Sequence, residues 1–534
     1  MKSTKKLLSI SNLKKYFPVA KSSIFQKEQL YFRANEDISI DIYEGETVGV
    51  VGESGCGKST LGRVLLQLYP QTAGTTMYYG ATLDSTTPKY VIDTLHHLDR
   101  YKARLEKASE KAAELSKKVM DAGGEENADF YLLQERNLAL CDEQTCLMHI
   151  VTILGGFFAK DEGGKGRELM EKVYYENVKR NKLLEKRTDI NAEYELSVGK
   201  GDSGKAAGLK AKLDELDSQI AVYDRSTAAC QRELDDLRAR NAADPEFSKY
   251  EAMRDSGIDL ARLQYSEMRL LRKDLQIIFQ DPYSSLNPRM TIGQIIEEGL
   301  LTHNFYRKGS KQMEEHILST MDECGLQDYM VNRYPHQFSG GQRQRVAIAR
   351  ALVVKPKFIV CDECVSALDV SIQSQIINLL QELKEKQNLT YMFISHDLSV
   401  VRYISDRICV MYLGNIVELA DAETIFKDPR HPYTVALLSS IPTTDPESLE
   451  KERILLEGNI PSPIRPPAGC KFHTRCYMAC DKCKRVPPPL REVEPGHFLA
   501  CHFPEAKLDA EGNYLFELPK MERKSSRGSG EAAE

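Results

Sequence analysis

Residues 338–369, FSGGQRQRVAIARALVVKPKFIVCDECVSALD, decide the fold of this chain. The stretch opens with a serine–glycine–glycine–glutamine turn, continues with a helical pattern, and ends in a short apolar run closed by Asp362 and Glu363. An apolar run that ends in carboxylates is typical of a buried parallel strand with a functional site at its carboxyl end. The stretch therefore predicts an α/β fold.

A phosphate-binding loop with the pattern G-x-x-x-x-G-K-[ST] lies upstream. Its glycines allow backbone N–H groups to converge on an anion, and the helix that follows directs its positive dipole end at the phosphates. Lys58 reaches the β- and γ-phosphates, and the Ser59 hydroxyl is a ligand for Mg²⁺. Because Cys56 lies at a helix start, we expect a lowered thiol pKa there. The predicted nucleotide-binding residues of this loop are Gly52, Glu53, Ser54, Gly55, Cys56, Gly57, Lys58, Ser59 and Thr60.

Three long strings resemble the oligopeptide/dipeptide permease family of ATP-binding cassette importers, and within it the F-type ATP-binding subunit. They are GESGCGKSTLGR at 52–63, QIIFQDPYSSLNPRM at 276–290 and VSALDVSIQSQIINLL at 365–380. The resemblance covers about residues 5–80 and 265–505. It implies a P-loop NTPase of the cassette type with a helical signature subdomain, which binds and hydrolyses Mg-ATP.

The resemblance also implies roles for single residues. Asp362 matches the carboxylate that holds Mg²⁺, together with Ser59, and Glu363 matches the one that activates the attacking water. Gln280 matches the glutamine that senses Mg²⁺ and the γ-phosphate. His396, in FISHDLSV, matches the switch histidine that contacts the γ-phosphate.

Further matches concern the opposing cassette and the adenine. The signature clamps the γ-phosphate on the partner cassette, and adenine stacks on Phe17, with Tyr16 as the alternative. Two residues depart from the family pattern: Phe338, where leucine is usual, and Cys364, where proline is usual. Because the missing proline frees the backbone, we expect an active ATPase with a looser loop after Glu363. The matching signature residues are Ser339, Gly340, Gly341 and Gln342.

A large insertion divides the cassette pattern. Lys58 and Gln280 lie 222 positions apart (280 − 58). The predicted division is residues 1–90 for the first part of the cassette, 91–264 for the helical insertion, 265–430 for the rest of the cassette, 431–520 for a permease-type C-terminal extension, and 521–534 for a disordered tail.

Heptad spacing within the insertion predicts helices with coiled-coil seams. Two arms flank the insertion, and the simplest fold pairs them as one antiparallel coiled-coil-like hairpin; two separate amphipathic helices packed on the body are the alternative. The residues that recur at seven are Leu98, Leu105, Ala112 and Val119 in one arm, and Leu209, Leu216, Tyr223, Cys230 and Leu237 in the other.

The C-terminal extension is rich in cysteine. In the family that it resembles, such cysteines hold an iron–sulfur cluster, and four thiolates suit either [4Fe–4S] or Zn²⁺. Cys480 lies outside that pattern but forms a C-x-x-C pair with Cys483, so Zn²⁺ remains an alternative to the iron–sulfur cluster. A site without any metal is the third alternative. The predicted ligands are Cys470, Cys476, Cys483 and Cys501.

Composition and charge exclude several classes of protein. The 534 residues are 42% hydrophobic and 28% charged with a net charge of −6, which is not the basic character of a nucleic-acid-binding domain. We expect no membrane-spanning helix, because the most apolar run, residues 146–158, is shorter than the about 18 residues required. The N-terminus lacks the apolar core of a secretory signal.

The resemblance implies a peripheral protein on the cytoplasmic face of the plasma (inner) membrane. Its expected partners are a second, D-type ATP-binding subunit, two transmembrane permease subunits and, indirectly, an extracytoplasmic peptide-binding protein, with no nucleic acid. The alternative is a DNA-repair or chromosome-maintenance ATPase with a coiled coil. The insertion argues against it, because it precedes the Gln280 motif.

Overall fold

The computed structural model describes residues 4–21, 29–125, 127–440, 454, 456 and 458–503. The predicted disordered tail lies outside these residues. The strands are β1 (Lys6–Pro18), β2 (Tyr31–Tyr43), β3 (Thr47–Val51), β4 (Ala73–Tyr78), β5 (Ile258–Asp259), β6 (Leu275–Ile278), β7 (Phe358–Asp362), β8 (Thr390–Ile394), β9 (Arg407–Tyr412), β10 (Asn415–Asp421), β11 (Arg491–Glu494) and β12 (His497–Leu499).

Two sheets form the frame. One is antiparallel, with four strands in the order β2-β1-β4-β5. The other has eight strands in the order β11-β12-β10-β9-β3-β8-β7-β6, and its stretch from β9 to β6 is parallel. The central strands β3, β7 and β8 are buried at every residue, as expected for parallel strands covered on both faces.

Helices cover both faces of the large sheet and build the insertion. In chain order they are α1 (Lys58–Leu65), α2 (Leu83–Thr86), α3 (Lys89–His96), α4 (Leu98–Asp121), α5 (Phe130–Leu154), α6 (Lys165–Gly199), α7 (Ser203–Asn241), α8 (Pro245–Glu251), α9 (Tyr265–Leu271), α10 (Pro282–Ser285), α11 (Ile292–Thr302), α12 (Lys311–Glu323), α13 (Gly340–Leu352), α14 (Val370–Gln387), α15 (Leu398–Ile404), α16 (Ala422–Lys427), α17 (Pro432–Ser439) and α18 (Asp481–Arg485).

Two apolar cores support the sheets. The larger one joins one face of the large sheet to helices α11–α15 and includes Phe338, which is 5% exposed at the position where leucine is usual in the family. The second core lies between the two sheets around α1. The larger core therefore accommodates a phenylalanine at this position.

The insertion leaves and rejoins the body at neighbouring strands. It follows β4 and returns at β5, and the two strands pair antiparallel with Tyr78 opposite Ile258. Because the two ends of the inserted segment lie side by side, the strands on either side keep their places in the sheet.

The predicted pairing within the insertion was wrong. The arm α4 packs along α5, and α7 packs along α6, so the structure contains two helical hairpins built from sequence neighbours. The two flanking arms meet only near the base, where Leu98 shares an apolar cluster with Cys230 and Leu234. A heptad seam shows which face of a helix is apolar but not which helix covers it. The short connections after α4 and α6 select the adjacent helix as the partner.

One helical segment, Tyr131–Phe158, is long and apolar enough to cross a membrane by length and composition alone. The sequence prediction missed it because it considered only the apolar run in the second half of this segment. Ile150, Val151 and Leu154 are fully buried inside the protein. A buried core helix passes the same test, so this single segment is weak evidence of a membrane span.

Candidate functional site

The predicted site residues converge at one edge of the large sheet. The parallel strands β3, β8, β7 and β6 lie side by side, so their carboxyl ends share that edge. Ser395–His396 follow β8, Asp362–Glu363 close β7, and Gln280 follows β6. Residues 52–57 follow β3 and lead into α1.

The phosphate loop is shaped by glycine and closed by its lysine. Gly57 has φ +105°, and a Cβ at this position would lie 2.0 Å from the carbonyl oxygen of Ala34, so only glycine fits. The Lys58 ammonium is 5% exposed and donates to the carbonyl oxygens of Gly52 at 2.8 Å and Glu53 at 3.1 Å. Lys58 thereby holds a compact loop around a cationic centre.

An oxygen-rich pair connects the loop to β7. The Ser59 hydroxyl donates to Asp362 Oδ1 at 2.5 Å, and Arg63 approaches Asp362 Oδ2 at 3.3 Å. The Asp362 side chain is 1% exposed. A hydroxyl beside a carboxylate supplies the hard oxygen donors that Mg²⁺ prefers.

Glu363 is held between the two other predicted polar residues. Gln280 Nε2 donates to Glu363 Oε2 at 2.7 Å, and His396 Nδ1 lies 3.7 Å from Glu363 Oε1. The backbone of Glu363 has φ +48°, a left-handed conformation that is rare for residues other than glycine. Such conformations cluster at functional sites, where the surrounding structure fixes them.

A contact that sequence reasoning missed joins the C-terminal extension to the phosphate loop. Arg475 donates to both Glu53 oxygens, Nη1 to Oε2 at 2.7 Å and Nη2 to Oε1 at 3.0 Å. The Tyr433 hydroxyl accepts from the Glu53 backbone N–H at 2.8 Å. The Arg475 side chain is 6% exposed, and no motif connects two residues 422 positions apart.

The expected lowering of the Cys56 thiol pKa was wrong. Cys56 is 5% exposed, and burial raises the pKa of its thiol, although the Lys58 charge opposes the shift. The desolvation of the thiolate therefore outweighs the field of the helix start. A protonated, buried thiol is a poor target for alkylation.

The signature turn lies at the start of α13. The Ser339 side chain accepts from the Gln342 N–H at 3.4 Å, and Gln342 Oε1 accepts from the Ser339 N–H at 3.1 Å, which forms a capping box. Ser339 and Gly340 are exposed. In the part of the chain that the structure describes, no hydrogen bond or ion pair joins this turn to the phosphate loop.

The two candidates for the adenine platform lie in different surroundings. Tyr16 is 6% exposed, and its hydroxyl donates to Glu36 Oε1 at 2.9 Å. Phe17 is only partly buried, with Tyr69 edge-on at 5.5 Å and the Lys15 ammonium 4.5 Å from its ring centre. Its accessible face favours Phe17 over Tyr16.

The loop that begins at Cys364 is anchored. Cys364 is 2% exposed within the larger core, and its thiol raises the pKa of Cys361. Ser366 donates through its hydroxyl to the Glu363 carbonyl at 2.9 Å, and Gln373 donates to the Val365 carbonyl at 2.9 Å. Burial and these hydrogen bonds hold the chain in place of the missing proline, so the structure does not show the looser loop that the sequence led us to expect.

Four thiols of the extension line one small cavity with three histidines. Cys480 is not among them; its sulfur lies 3.6 Å from that of Cys483. Burial raises the pKa of Cys476 to about 12 and that of Cys501 to about 11. Within the described ranges, no three His, Cys, Asp or Glu side chains are arranged to hold a metal ion. The lining side chains include Cys470, Cys476, Cys483, Cys501, His431, His473 and His502.

Two family models match the chain. The ABC transporter model matches residues 35–201 and 249–366, and the model of the oligopeptide/dipeptide transporter C-terminal region matches residues 417–483. The first match covers more than half of the chain and includes the phosphate loop, the signature turn and Glu363.

Curated relatives agree with this match. The oligopeptide transport ATP-binding protein AppF of Bacillus subtilis is 52% identical over 248 residues, which cover 46% of this chain and 75% of AppF. The oligopeptide transport ATP-binding protein OppF of Haemophilus influenzae is 49% identical over 246 residues, which cover 46% of this chain and 74% of OppF.

Among solved structures, a dimer of the ATP-binding cassette MJ0796 with ADP and Pi aligns with a TM-score of 0.40 and 17% identity. The alignment covers 78% of this chain and 99% of that one, and the score is too low to support any statement about the fold. The family models and the relatives, together with the convergence of the phosphate loop, Asp362 and Glu363 at one sheet edge, show that the chain is a member of the ABC transporter family of ATP-binding proteins.

Proposed function

We propose that the protein is the ATP-hydrolysing subunit of an ABC importer, in which Mg-ATP hydrolysis drives the uptake of oligopeptides or dipeptides. One observation carries the proposal: the phosphate loop and the end of β7 bring together Lys58, Ser59, Asp362 and Glu363. The C-terminal region model and the relatives' names support peptides as the cargo class. Neither the family models nor these relatives favour the DNA-repair alternative.

The phosphate loop binds the triphosphate. The N–H groups at the start of α1 and the Lys58 ammonium face the β- and γ-phosphates once the ammonium exchanges its two carbonyl partners for phosphate oxygens. Ser59 and Asp362 would hold Mg²⁺, with Gln280 beside them, and the ion would supply positive charge that neutralises the transferred phosphoryl group.

Glu363 positions the attacking water. Its carboxylate lies beyond Asp362 at the strand end, and Gln280 fixes one of its oxygens. Phosphoryl transfer requires mainly orientation and charge neutralisation, so one fixed base beside a cationic cradle is sufficient. The His396 side chain, which is 61% exposed and lies 3.7 Å from Glu363, contacts the γ-phosphate in this proposal. The anchored Cys364 loop supports a competent catalytic site.

The signature turn acts in trans. Ser339 and Gly340 are exposed, and the capping box uses the Ser339 N–H but leaves the Gly340 N–H and the Ser339 hydroxyl proton available to nucleotide on a second, D-type cassette. Two transmembrane permeases and, indirectly, an extracytoplasmic peptide-binding protein complete the assembly. The protein then lies on the cytoplasmic face of the plasma (inner) membrane.

The domain division follows the same logic. Residues 1–90 and 265–430 form the cassette, 91–264 the insertion with coiled-coil-like seams, and 431–520 the extension. The return of the chain at β5 beside β4 supports the insertion, and the match at residues 417–483 supports the extension.

The transport proposal predicts coupled activities. In proteoliposomes with the permeases, the second ATP-binding subunit and the peptide-binding protein, ATP should drive the uptake of labelled peptide. Glu363→Gln should abolish uptake while nucleotide binding persists, because only the base is lost. Lys311→Gln, an exposed position on α12, serves as the matched control. Peptide uptake that persists in Glu363→Gln would overturn the proposal.

The contact between Arg475 and Glu53 predicts that the extension tunes ATP affinity. Without the guanidinium, an uncompensated carboxylate faces the triphosphate, and we expect Arg475→Ala to bind ATP about tenfold more weakly. Arg475→Lys should give an intermediate loss, because lysine keeps the charge but not the paired geometry. Lys482→Ala, an exposed position of the same extension, is the control. Titration with a fluorescent ATP analogue measures the effect, and equal affinities of parent and Arg475→Ala would contradict it.

For the cysteine cluster, we propose a [4Fe–4S] cluster, with Zn²⁺ as the alternative, held by Cys470, Cys476, Cys483 and Cys501. The support is that these four thiols line one cavity from which Cys480 is excluded; among the described residues they are not gathered closely enough to hold a metal, so the proposal requires them to close around it. After anaerobic purification, iron and sulfide should be present in the parent and in Cys480→Ser but absent in Cys476→Ser. Zinc in their place would select the alternative, and a metal-free parent would refute both.

A further inference from the structure

A polar cavity whose lining includes no residue of the phosphate loop lies at the junction of three parts of the chain. Its volume is about 730 Å³, within the range of small-molecule sites. The walls are the β1–β2 face of the smaller sheet, helix α5 of the insertion and the C-terminal extension. Six cations face three carboxylates there, namely Lys14, Arg33, Arg136, Lys471, Lys484 and Arg485 against Glu36, Asp37 and Glu125.

Lys14 is the cation of this cavity without a partner. Its side chain is 8% exposed, and no hydrogen bond or ion pair reaches its ammonium from any of the residues that the structure describes. The residue is mostly buried, but its ammonium is not among the buried polar atoms and is open to the cavity. Lys14 lines the cavity, so the missing partner can enter from there.

The neighbouring carboxylate is already shared by two other cations. Lys471 donates to Glu36 Oε2 at 2.7 Å and to the Leu413 carbonyl at 2.9 Å, and Arg33 lies 3.6 Å from Glu36 Oε1. Burial alone would raise the pKa of Glu36, but Lys471 and Arg33 overcome it and lower the pKa to about 2. The Lys14 charge also helps to lower the pKa of Glu36, but Lys14 makes no direct hydrogen bond or ion pair with that carboxylate, whose oxygens are taken by Lys471 and Arg33.

The insertion supplies the opposite wall. Arg136 on α5 has a side chain that is 14% exposed and lies 2.7 Å from Glu125. Gln144, about two turns further along the same helix, accepts a hydrogen bond from Asn12 Nδ2 at 3.0 Å. The Asn12 contact fixes α5 against β1. A ligand between Lys14 and Arg136 would thus touch the body and the insertion at once.

We propose that this cavity binds a small phosphate-bearing molecule, with Lys14 at its floor and Arg136 and Arg33 in its walls. A phosphate group carries more than one negative charge and three acceptor oxygens, which matches an excess of cations and the paired donors of arginine. The site is independent of the transport proposal. It adjoins the catalytic region, because Asn35, between Arg33 and Glu36, donates to the Gly57 carbonyl at 3.1 Å.

Calorimetric titration of the full chain with pyrophosphate, without Mg²⁺, tests the site. The parent carries Lys58→Ala, so that the phosphate loop contributes little binding. Adding Lys14→Gln to this parent should weaken the binding of pyrophosphate about tenfold, the effect of one lost charge-assisted contact. Lys311→Gln, exposed and remote on α12, should leave the affinity unchanged.

A second variant and a second source of phosphate complete the test. If Lys14→Gln lowers the thermal midpoint of unfolding, Arg136→Gln replaces it with the same expected loss. Vesicles containing phosphatidic acid test a lipid headgroup, and Lys14-dependent sedimentation would assign the phosphate to lipid. The proposal fails if pyrophosphate binds equally to the parent and to both cavity variants, or if neither pyrophosphate nor the vesicles bind.

Discussion

The site depends on the register of four parallel strands, of which three are buried at every residue. Because β3, β8, β7 and β6 run side by side in the same direction, the groups that follow them meet at one edge although they are scattered from residue 52 to residue 396. The bond from Ser59 to Asp362 spans 303 positions and closes this arrangement. A single register shift in the sheet would turn alternate side chains to the wrong face and separate them.

Much of this arrangement is predictable from sequence because phosphate chemistry restricts the residue types. A tight anion-binding loop requires glycine, a lysine and a hydroxyl at fixed spacing, and strand ends place carboxylates beside it. The cradle of Lys58, Ser59, Asp362 and Glu363 follows from such patterns. The paired arginine of the extension does not, since Arg475 and Glu53 meet only through the tertiary fold.

The two wrong predictions have physical causes that no local pattern reveals. At Cys56 the helix field and Lys58 favour the thiolate, but burial is the larger effect and raises the pKa. In the insertion, the seams of α4 and α7 are real, yet short connections give each helix its sequence neighbour as partner. Burial and chain connectivity are properties of the whole fold.

The central claim is that this chain completes its ATP site only with a second cassette, and the ATPase rate of defined pairs tests it most directly. The isolated chain should hydrolyse little ATP, and addition of the second ATP-binding subunit should raise the rate. Within that pair, Ser339→Arg in this chain should suppress hydrolysis of the nucleotide bound by the partner, since we propose that this turn contacts that nucleotide. Full hydrolysis by the isolated chain, unchanged by Ser339→Arg, would contradict the account.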